Sequence, residues 1–234
     1  MMEMGDAFAA AAALIINFES GLAEIVFLSL QVSMLAVAIA CFIGLPVGAA
    51  LAIFQFPGRT LVVVALNAMM GLPPVVVGLI VYLILSRSGP MGTLGLLFTP
   101  TAMVVAQVCL VTPIIAALTR QTTEDLWKEY AEHLRSVDIR PWQTVKTLLW
   151  DNRFSLITTV LAGFGRASAE VGAVMIVGGN IDHVTRVMTT SIALETSKGN
   201  LALALGLGII LLALALSVNA AAFIVSEIAM KRHG

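Results

Sequence analysis

The chain has 234 residues, of which 59% are hydrophobic and 12% are charged, and its mean hydropathy is +0.98. Average soluble domains contain roughly 45 to 50% apolar and about 25% charged residues, so this composition excludes an ordinary soluble domain and indicates a membrane protein. A formal net charge of −1 gives no reason to expect nucleic acid as a partner.

The N-terminal residues do not resemble a secretory signal peptide, which begins with basic residues, because the first Lys or Arg of the chain is Arg59. The Ala-rich run from Ala7 to Phe18 is shorter than the roughly 20 apolar residues that a helix needs to cross a bilayer. We therefore expect residues 1–24 to form an extracytoplasmic or interfacial segment and residues 25–234 to form a transmembrane domain.

Five apolar stretches of the chain are long enough to span a membrane, and the fourth also contains two charges, Arg166 and Glu170. We predict an all-α membrane protein with about five transmembrane helices. The predicted spans are Ile25–Phe54, Leu61–Leu85, part of Ser88–Thr119, Phe154–Val177 and Leu201–Ser226.

The thirteen Lys and Arg residues are distributed unevenly about these spans. Short cytoplasmic loops carry the excess of basic residues in membrane proteins. If the loop between spans three and four is cytoplasmic, nine basic residues lie on the cytoplasmic side, and three lie outside. The nine are the six basic residues of that loop together with Arg59, Lys231 and Arg232. We therefore expect a multi-pass protein with its N-terminus outside and its C-terminus in the cytoplasm.

Residues that modify helices are concentrated in the first two spans and include the sequence "GLPPVVVG", residues 71–78. Because proline removes a backbone donor and bends a helix, Pro73 and Pro74 predict a sharp kink in the second span. The spacing of Gly44 and Gly48 permits close packing of helices. Two interpretations of the prolines remain open: they serve helix packing, or they mark a helix that lines a pathway and bends when the pathway opens.

The predicted cytoplasmic loop, at about residues 120–153, is the main soluble feature of the chain. Its sequence predicts a helix that begins at Thr122 or Thr123, with acidic residues in the first turn. Apolar residues recur at helical spacing along it and form a ridge. The ridge residues are Leu126, Tyr130 and Leu134. Such a helix suits docking into a groove of a partner protein, and a solvated interfacial helix is the alternative.

Pro141 is expected to end this helix, and "WQTVKTLLW" to begin a second one that runs towards the fourth span. The loop resembles the EAA coupling loop of ATP-binding cassette (ABC) importer permeases of the type I fold. In that family a short cytoplasmic helix seats in a cleft of the ATPase subunit. Two registers of the motif are open: one begins with Glu129, Tyr130 and Ala131, and the other begins with Glu132 and has Asp138 in place of the motif's glycine.

A more specific resemblance is carried by "GLPPVVVGLIVYLILSRSGPMGTLGLLFTPTAM" and "GFGRASAEVGAVMIVGGNIDHVTRVMTTSIALETSKGN". These stretches resemble permease subunits of tungstate importers, and molybdate and sulfate permeases are more distant relatives. The resemblance implies a homodimer in the cell membrane of a prokaryote, with ABC ATP-binding subunits inside and an oxyanion-binding protein outside. It also implies that ATP and Mg are bound by the ATPase subunit and that this chain binds no cofactor.

Three alternatives to a tungstate permease remain open at this stage. Two are a molybdate permease and a sulfate permease of the same fold. The third is a membrane scaffold or channel that has no ATPase and whose basic loop merely binds the anionic lipid of the membrane.

The charges of Arg166 and Glu170 lie in an otherwise apolar span. A charge near the centre of a membrane helix costs about 2.5 to 3.5 kcal/mol, and each large apolar residue returns about 0.3 to 0.6 kcal/mol, so this span is marginal alone. At i and i+4 the two residues share a helix face, although arginine before glutamate is the weaker order. The pair has either a mainly structural role or a role in a gate, where arginine offsets the desolvation of an oxyanion.

The outer loop after the fourth span offers weaker candidates. Val184, Val187, Met188 and Ile192 share a helical face, which predicts an interfacial helix that faces the binding protein. His183 is interpreted as a solvated histidine. The chain contains no Walker A, zinc-site or nucleophile-elbow motif, so we expect neither ATP hydrolysis nor a metal site.

Overall fold

A computed structural model of the chain describes residues 20–136 and 141–233, with the exception of the side chains of residues 20, 132–136, 141, 222 and 225–233. Within this part of the chain, nine α-helices and one 3₁₀ turn, Gly92–Leu94, are formed without any β-strand, so the predicted all-α class is confirmed. The helices are α1 Ser20–Ile53, α2 Arg59–Met70, α3 Pro74–Leu85, α4 Pro100–Ser136, α5 Pro141–Asp151, α6 Arg153–Ser168, α7 Gly172–Gly178, α8 Met188–Lys198 and α9 Leu201–His233.

Three of these helices, α1, α4 and α9, are long and apolar enough to cross a membrane. Two bent pairs, α2 with α3 and α6 with α7, pass the same test when each pair is taken as one broken span. The described residues thus contain up to five spans, in the predicted order. Helix α1 begins at Ser20, before the predicted start of the first span. The proposed interfacial segment, Ala7–Phe18, lies outside the described residues.

The chain divides into two compact units. The first contains the described residues of Met1–Leu35 together with Pro73–Gln107 and Ser168–Val218. Its core includes Leu22, Met188 and Leu207, which are buried and packed with neighbouring apolar residues of α1, α8 and α9. The hydroxyl of Ser29 accepts a hydrogen bond from the backbone N–H of Met188 at 2.7 Å and so ties the start of α8 to α1.

The second unit contains Ala36–Leu72, Val108–Ala167 and the described residues of Asn219–Gly234. Gly44 and Gly48 of α1 allow close packing against α4, because a Cβ at Gly48 would overlap the carbonyl oxygen of Ala116. Gly163 of α6 similarly lies against Ile115, where a Cβ would come within 3.0 Å of its side chain. The predicted packing of small residues is therefore confirmed for Gly44 and Gly48.

The second predicted span is interrupted where the sequence places its two prolines. Helix α2 ends at Met70, and two carbonyls of its last turn are satisfied from beyond the helix: the N–H of Gly71 donates to Ala68 at 3.1 Å and the N–H of Leu72 donates to Met69 at 3.3 Å. Pro73 has an extended backbone, with φ −63° and ψ 122°, and Pro74 is the first residue of α3. Proline suits the first helical position because that residue's N–H would have no partner within the helix. The predicted kink is thus a complete break between two helices.

The third span differs from its prediction because α4 continues without interruption to Ser136. The expected new helix start at Thr122 or Thr123 is wrong. The hydroxyl of Thr122 donates to the carbonyls of Leu118 and Thr119, each at 3.2 Å, and Thr123 is fully buried inside the helix. A threonine followed by acids resembles a cap, but here its hydroxyl is satisfied by the preceding turn. The second predicted helix is confirmed as α5, which begins at Pro141.

Candidate functional site

The helices that follow the two breaks, α3 and α7, pack closely in the first unit. A Cβ built on Gly78 of α3 would lie 2.7 Å from the Cα of Ala173 in α7. One turn earlier, a Cβ on Gly172 would lie 2.8 Å from Cγ2 of Val75. Contacts this close require glycine, so these two positions set the distance between the helix backbones. Pro74 begins α3 immediately before this contact and therefore determines where the contact falls.

Glu170 lies between α6 and α7 and is buried. Its Oε1 accepts a hydrogen bond from the backbone N–H of Ala173 at 3.0 Å. Its backbone carbonyl accepts a second bond, from the hydroxyl of Thr189 at 2.8 Å. The first N–H groups of a helix have no partners within the helix, so the carboxylate satisfies a donor that would otherwise be orphaned. Glu170 therefore organises the start of α7 and links it to the start of α8.

The prediction that Arg166 and Glu170 share one helix face is wrong. Helix α6 ends at Ser168, and Glu170 occupies the break before α7 begins at Gly172. Arg166 lies in the last turn of α6 and is half-buried. A cation in the last turn interacts favourably with the carbonyl end of a helix, so this placement is electrostatically favourable by itself.

The end of α7 is held by the loops on either side of it. The backbone N–H of Phe98 donates to the carbonyl of Val177 at 3.0 Å. The hydroxyl of Thr185 donates to the carbonyl of Gly178 at 2.6 Å and accepts from the N–H of Ile181 at 2.9 Å. Both ends of this seven-residue helix are therefore fixed by hydrogen bonds from neighbouring segments.

The candidate coupling residues lie on the last turns of α4, in the second unit. Leu126 is half-buried and packs with Trp127 against a buried cluster that includes Ile53 and Leu148, so less of it is exposed than the predicted docking ridge suggests. Tyr130 is 40% exposed and available to a partner. Glu129 is exposed and Ala131 is half-buried. The backbone of Glu132 and Leu134 continues the helix, their side chains lie outside the described part of the structure, and so does the whole of Asp138.

A charged cluster fixes the base of this helix. Glu124 accepts hydrogen bonds from Arg120 on the preceding turn and from Arg59 at 3.4 Å. Arg59 also donates through Nε to the carbonyl of Leu51 at 2.8 Å, near the end of α1. The three charged side chains are only 17 to 29% exposed, so their interaction is less screened than that of a surface pair. Helix α4 therefore leaves the predicted membrane region in a fixed direction.

Helix α5 presents an exposed aromatic residue that was not singled out from the sequence. Val145 and Leu148 are buried in the second unit, whereas Trp142 is 54% exposed. The amide of Asn152, just beyond α5, donates to the hydroxyl of Thr122 at 2.8 Å and fixes the end of α5 to α4. The sequence "WQTVKTLLW" after Pro141 predicts the helix but does not show that Trp142 and Trp150 both remain exposed.

Helix α8, which was predicted to face a binding protein, also differs from its prediction. Val187 and Met188 are buried and Ile192 packs against the core of the first unit, so of the four predicted residues Val184 alone is exposed to a partner. His183 is not simply solvated, because its Nδ1 lies 2.7 Å from Oε2 of Glu24. This hydrogen bond, together with the negative charges of Glu24 and Asp182, raises the pKa of His183 above its usual value.

Among the described residues, no group of three or more His, Cys, Asp or Glu side chains is arranged to hold a metal ion. No protein-family model matches the chain. The tungstate uptake system permease protein TupB of Peptoclostridium acidaminophilum is 38% identical over 227 residues, which cover 97% of this chain and 100% of that protein.

This chain belongs to the tungstate-uptake family of ABC transporter permeases. A probable anion ABC transporter permease protein of Haloferax volcanii, 40% identical over 77% of this chain and 80% of that protein, supports the same family. The sulfate transport system permease protein CysW of Synechocystis is 30% identical over 70% of this chain and 61% of that protein. The chain is thus a multi-pass membrane permease subunit of an ABC importer, as the resemblance implied, and the sulfate permeases are more distant relatives.

Proposed function

We propose that this permease subunit forms the membrane pathway for tungstate. The observation that carries the proposal is the full-length similarity to a tungstate uptake permease, which leaves no part of that protein unmatched. The sulfate permease similarity has lower identity and covers less of both chains, so it supports the shared fold more than a shared substrate. A second tungstate uptake permease, from Campylobacter jejuni, is 40% identical over 149 residues.

In this proposal the permease works with three kinds of partner. A second copy of the chain completes the pathway, ABC ATP-binding subunits supply the energy, and an extracytoplasmic binding protein delivers the oxyanion. The chain has no Walker A sequence that could cradle ATP phosphates. ATP and Mg therefore belong to the ATPase subunit, and this chain is not itself an enzyme and binds no cofactor.

We place the coupling surface at the end of α4 and the start of α5. Tyr130 and Trp142 are both exposed aromatic side chains there, and aromatic residues are enriched at the centres of protein interfaces. Leu126 supports this surface from the inside rather than contacting the partner. The positive charges of the loop favour a cytoplasmic location, which places the N-terminus outside and the C-terminus inside a prokaryotic cell membrane.

For the pathway, we propose different roles for the four candidate residues. Pro73 and Pro74 create the break that allows α3 to meet α7 at Gly78. Glu170 has a structural role, because its carboxylate accepts the Ala173 N–H. Arg166 is the candidate for contact with the oxyanion, since a cation at membrane depth offsets part of the cost of removing an anion from water.

Reconstitution tests the transport function. The permease is placed in liposomes with the ABC ATP-binding subunit and the binding protein expressed beside it, and ATP hydrolysis is measured with tungstate, molybdate or sulfate. We expect the strongest stimulation by tungstate and no hydrolysis by the permease alone. Equal stimulation by sulfate would contradict the substrate, whereas failure of the permease to retain any ATP-binding subunit would contradict its place in an ABC importer.

The coupling surface is tested in the same assay with Trp142→Asp. We expect this variant to lose substrate-stimulated ATP hydrolysis while the permease keeps its thermal stability, because Trp142 is exposed and a charge there breaks an apolar contact only with a partner. Lys128→Gln is the control, since Lys128 is exposed near the end of α4 and pairs there with Asp125. Normal stimulation in the Trp142 variant would contradict the placement of the surface.

A further inference from the structure

An apolar groove of about 590 Å³ lies in the second unit, where α5 passes into α6. This volume is within the range of about 300 to 1,000 Å³ that is usual for sites of small ligands. The residues that line it are Leu45, Lys146, Leu149, Trp150, Arg153, Leu156, Ile157, Val160 and Leu161. Seven of these nine side chains carry no formal charge, and the two charged ones are both cations.

The apolar wall of the groove belongs to membrane-spanning segments. Leu156, Ile157, Val160 and Leu161 occupy one face of α6, and Leu45 lies in α1. Because an α-helix rises about 1.5 Å per residue, the wall extends about 12 Å from Arg153 to Leu161. That length is a large part of one leaflet, since the whole hydrocarbon core is about 30 Å thick. The wall therefore matches a substantial part of one acyl chain.

The other end of the groove is cationic and aromatic. Lys146 is exposed on α5, and the Arg153 guanidinium lies 4.9 Å from the ring centre of Trp150 and 4.4 Å from that of Phe154. Arg153 also donates to the carbonyl of Trp150 at 2.7 Å, which fixes the position of its charge. Trp150 is 69% exposed, as is usual for tryptophan at the interface between membrane and water.

We infer that this groove binds an anionic phospholipid, with one acyl chain along α6 and the phosphate between Lys146 and Arg153. Basic side chains near an anionic membrane surface favour such headgroups, and none of the described residues that line the groove is a carboxylate that would repel one. A second copy is a less suitable occupant. A two-fold contact uses the same patch on both subunits and would bring both pairs of cations into one interface. The inference concerns the lipid around the permease and does not depend on which oxyanion it transports.

The test measures quenching of tryptophan fluorescence by lipids with brominated acyl chains. The full-length permease is reconstituted in phosphatidylcholine vesicles that contain increasing fractions of brominated phosphatidylglycerol or brominated phosphatidylcholine. We expect brominated phosphatidylglycerol to reach half-maximal quenching at a mole fraction at least about fivefold lower than brominated phosphatidylcholine does. Each basic side chain near the surface raises the affinity for an anionic lipid by about that factor. Trp150→Phe should remove the component of the quenching that shows this preference.

Variants separate the headgroup contact from the acyl contact. Lys146→Gln combined with Arg153→Gln should abolish the preference for phosphatidylglycerol, and Val160→Phe should reduce quenching by both lipids because it fills the groove. Lys128→Gln, which removes an exposed cation outside the groove, should leave the preference unchanged. Lys146→Arg combined with Arg153→Lys keeps both charges and should keep the preference for phosphatidylglycerol. This variant tests the headgroup contact even if the double glutamine variant fails to fold.

Four outcomes would overturn the inference, the last of them competition by inorganic phosphate. The first is equal quenching of the wild-type permease by the two lipids, and the second is an equal loss of preference with Lys128→Gln. The third is the formation of a disulfide between two copies of the Leu161→Cys variant, accompanied by a loss of quenching by lipid. That result would assign the groove to a second copy of the chain. Inorganic phosphate is added in a separate arm and is expected not to compete, since it lacks the acyl chain that fills the apolar wall. Competition by phosphate would show an anion site instead of a lipid site.

Discussion

The Oε1 of Glu170 accepts a hydrogen bond from the backbone N–H of Ala173 across 3.0 Å, within a buried part of the first unit. The carboxylate thus provides the acceptor that the first turn of α7 lacks after the break in the span. The sequence suggests that Glu170 forms half of an ion pair at membrane depth. In the structure its carboxylate accepts a hydrogen bond from the backbone of its own chain. We therefore expect its acceptor oxygen to contribute to stability in addition to its charge.

The role of this oxygen can be separated from the role of the charge by two substitutions. Glu170→Gln keeps a side-chain oxygen that can accept the Ala173 N–H, and we expect nearly normal assembly of the purified permease. Glu170→Ala removes the acceptor and should cost about 0.5 to 2 kcal/mol, as the loss of a helix cap usually does. The thermal midpoint in detergent measures both. If Gln is as damaging as Ala, the negative charge is what the site requires.

The contact between Gly78 and Ala173 predicts a strict requirement for glycine. A methyl group at position 78 would lie 2.7 Å from the Cα of Ala173, so Gly78→Ala should separate the helices and destabilise the first unit by about 1 to 3 kcal/mol. Ala173→Gly should not rescue it, because the closest atom belongs to the backbone. Gly208→Ala, in a helix of the same unit with open space at the Cβ, should be neutral or stabilising. Equal thermal midpoints of the Gly78 and Gly208 variants would contradict this account.

Leu126 and Tyr130 should respond differently to the same substitution. Leu126→Asp places a charge against the buried cluster around Leu148, and we expect it to destabilise the second unit by more than about 3 kcal/mol. Tyr130→Asp changes an exposed side chain and should leave the thermal midpoint within about 0.5 kcal/mol of the wild type while it reduces substrate-stimulated ATP hydrolysis. A stable Leu126→Asp permease would show that this side chain is accessible after all.

The ion pair of His183 with Glu24 should make the stability of the first unit depend on pH. Because Glu24 raises the pKa of His183 in the folded protein, the pair stabilises the fold fully below the unfolded pKa, near 6.5, and its contribution is lost as the pH rises through the raised value. Glu24→Gln should remove the loss of stability that the wild type shows as the pH rises above about 6.5.

The titration of labelled histidine measures the pKa of His183 directly. His183→Asn assigns its signal among the three histidines and suits the backbone there, since His183 has φ 57° and asparagine tolerates this left-handed conformation. An unchanged titration of His183 in the Glu24→Gln permease would show that the carboxylate does not raise its pKa.

The sequence predicts the spans well because their signal is local. A run of about 20 apolar residues has few alternatives to a membrane helix, and a double proline necessarily interrupts the hydrogen bonds of the helix. The helix after Pro141 is predicted for the same reason. These features depend on the composition of short segments rather than on distant contacts, which is why they agree with α1, α3, α5 and α9.

The errors arise where one local pattern is compatible with two structures, or where a distant contact decides between them. Thr122 and Thr123 resemble a helix start, but one hydroxyl bonds to the preceding turn and α4 continues. The sequence "RASAEVGAV" contains no proline, so the break that separates Arg166 from Glu170 is not evident, and only Gly172 hints at it. The partners of Leu126 and His183 lie far away in the chain, and a single sequence does not show them. Whether the four candidate pathway residues act in transport stays a prediction.

The close approach at Gly78 also determines which inherited changes this helix can survive. Every single-base change in a glycine codon that alters the residue introduces at least a Cβ, and the backbone of Ala173 already fills that space. On the other side of α3, Val76, Leu79 and Leu83 are exposed and can be exchanged for other apolar residues without meeting a neighbour in the same chain. One helix therefore combines a face that is free to drift with a single position at which almost any mutation is expected to be eliminated.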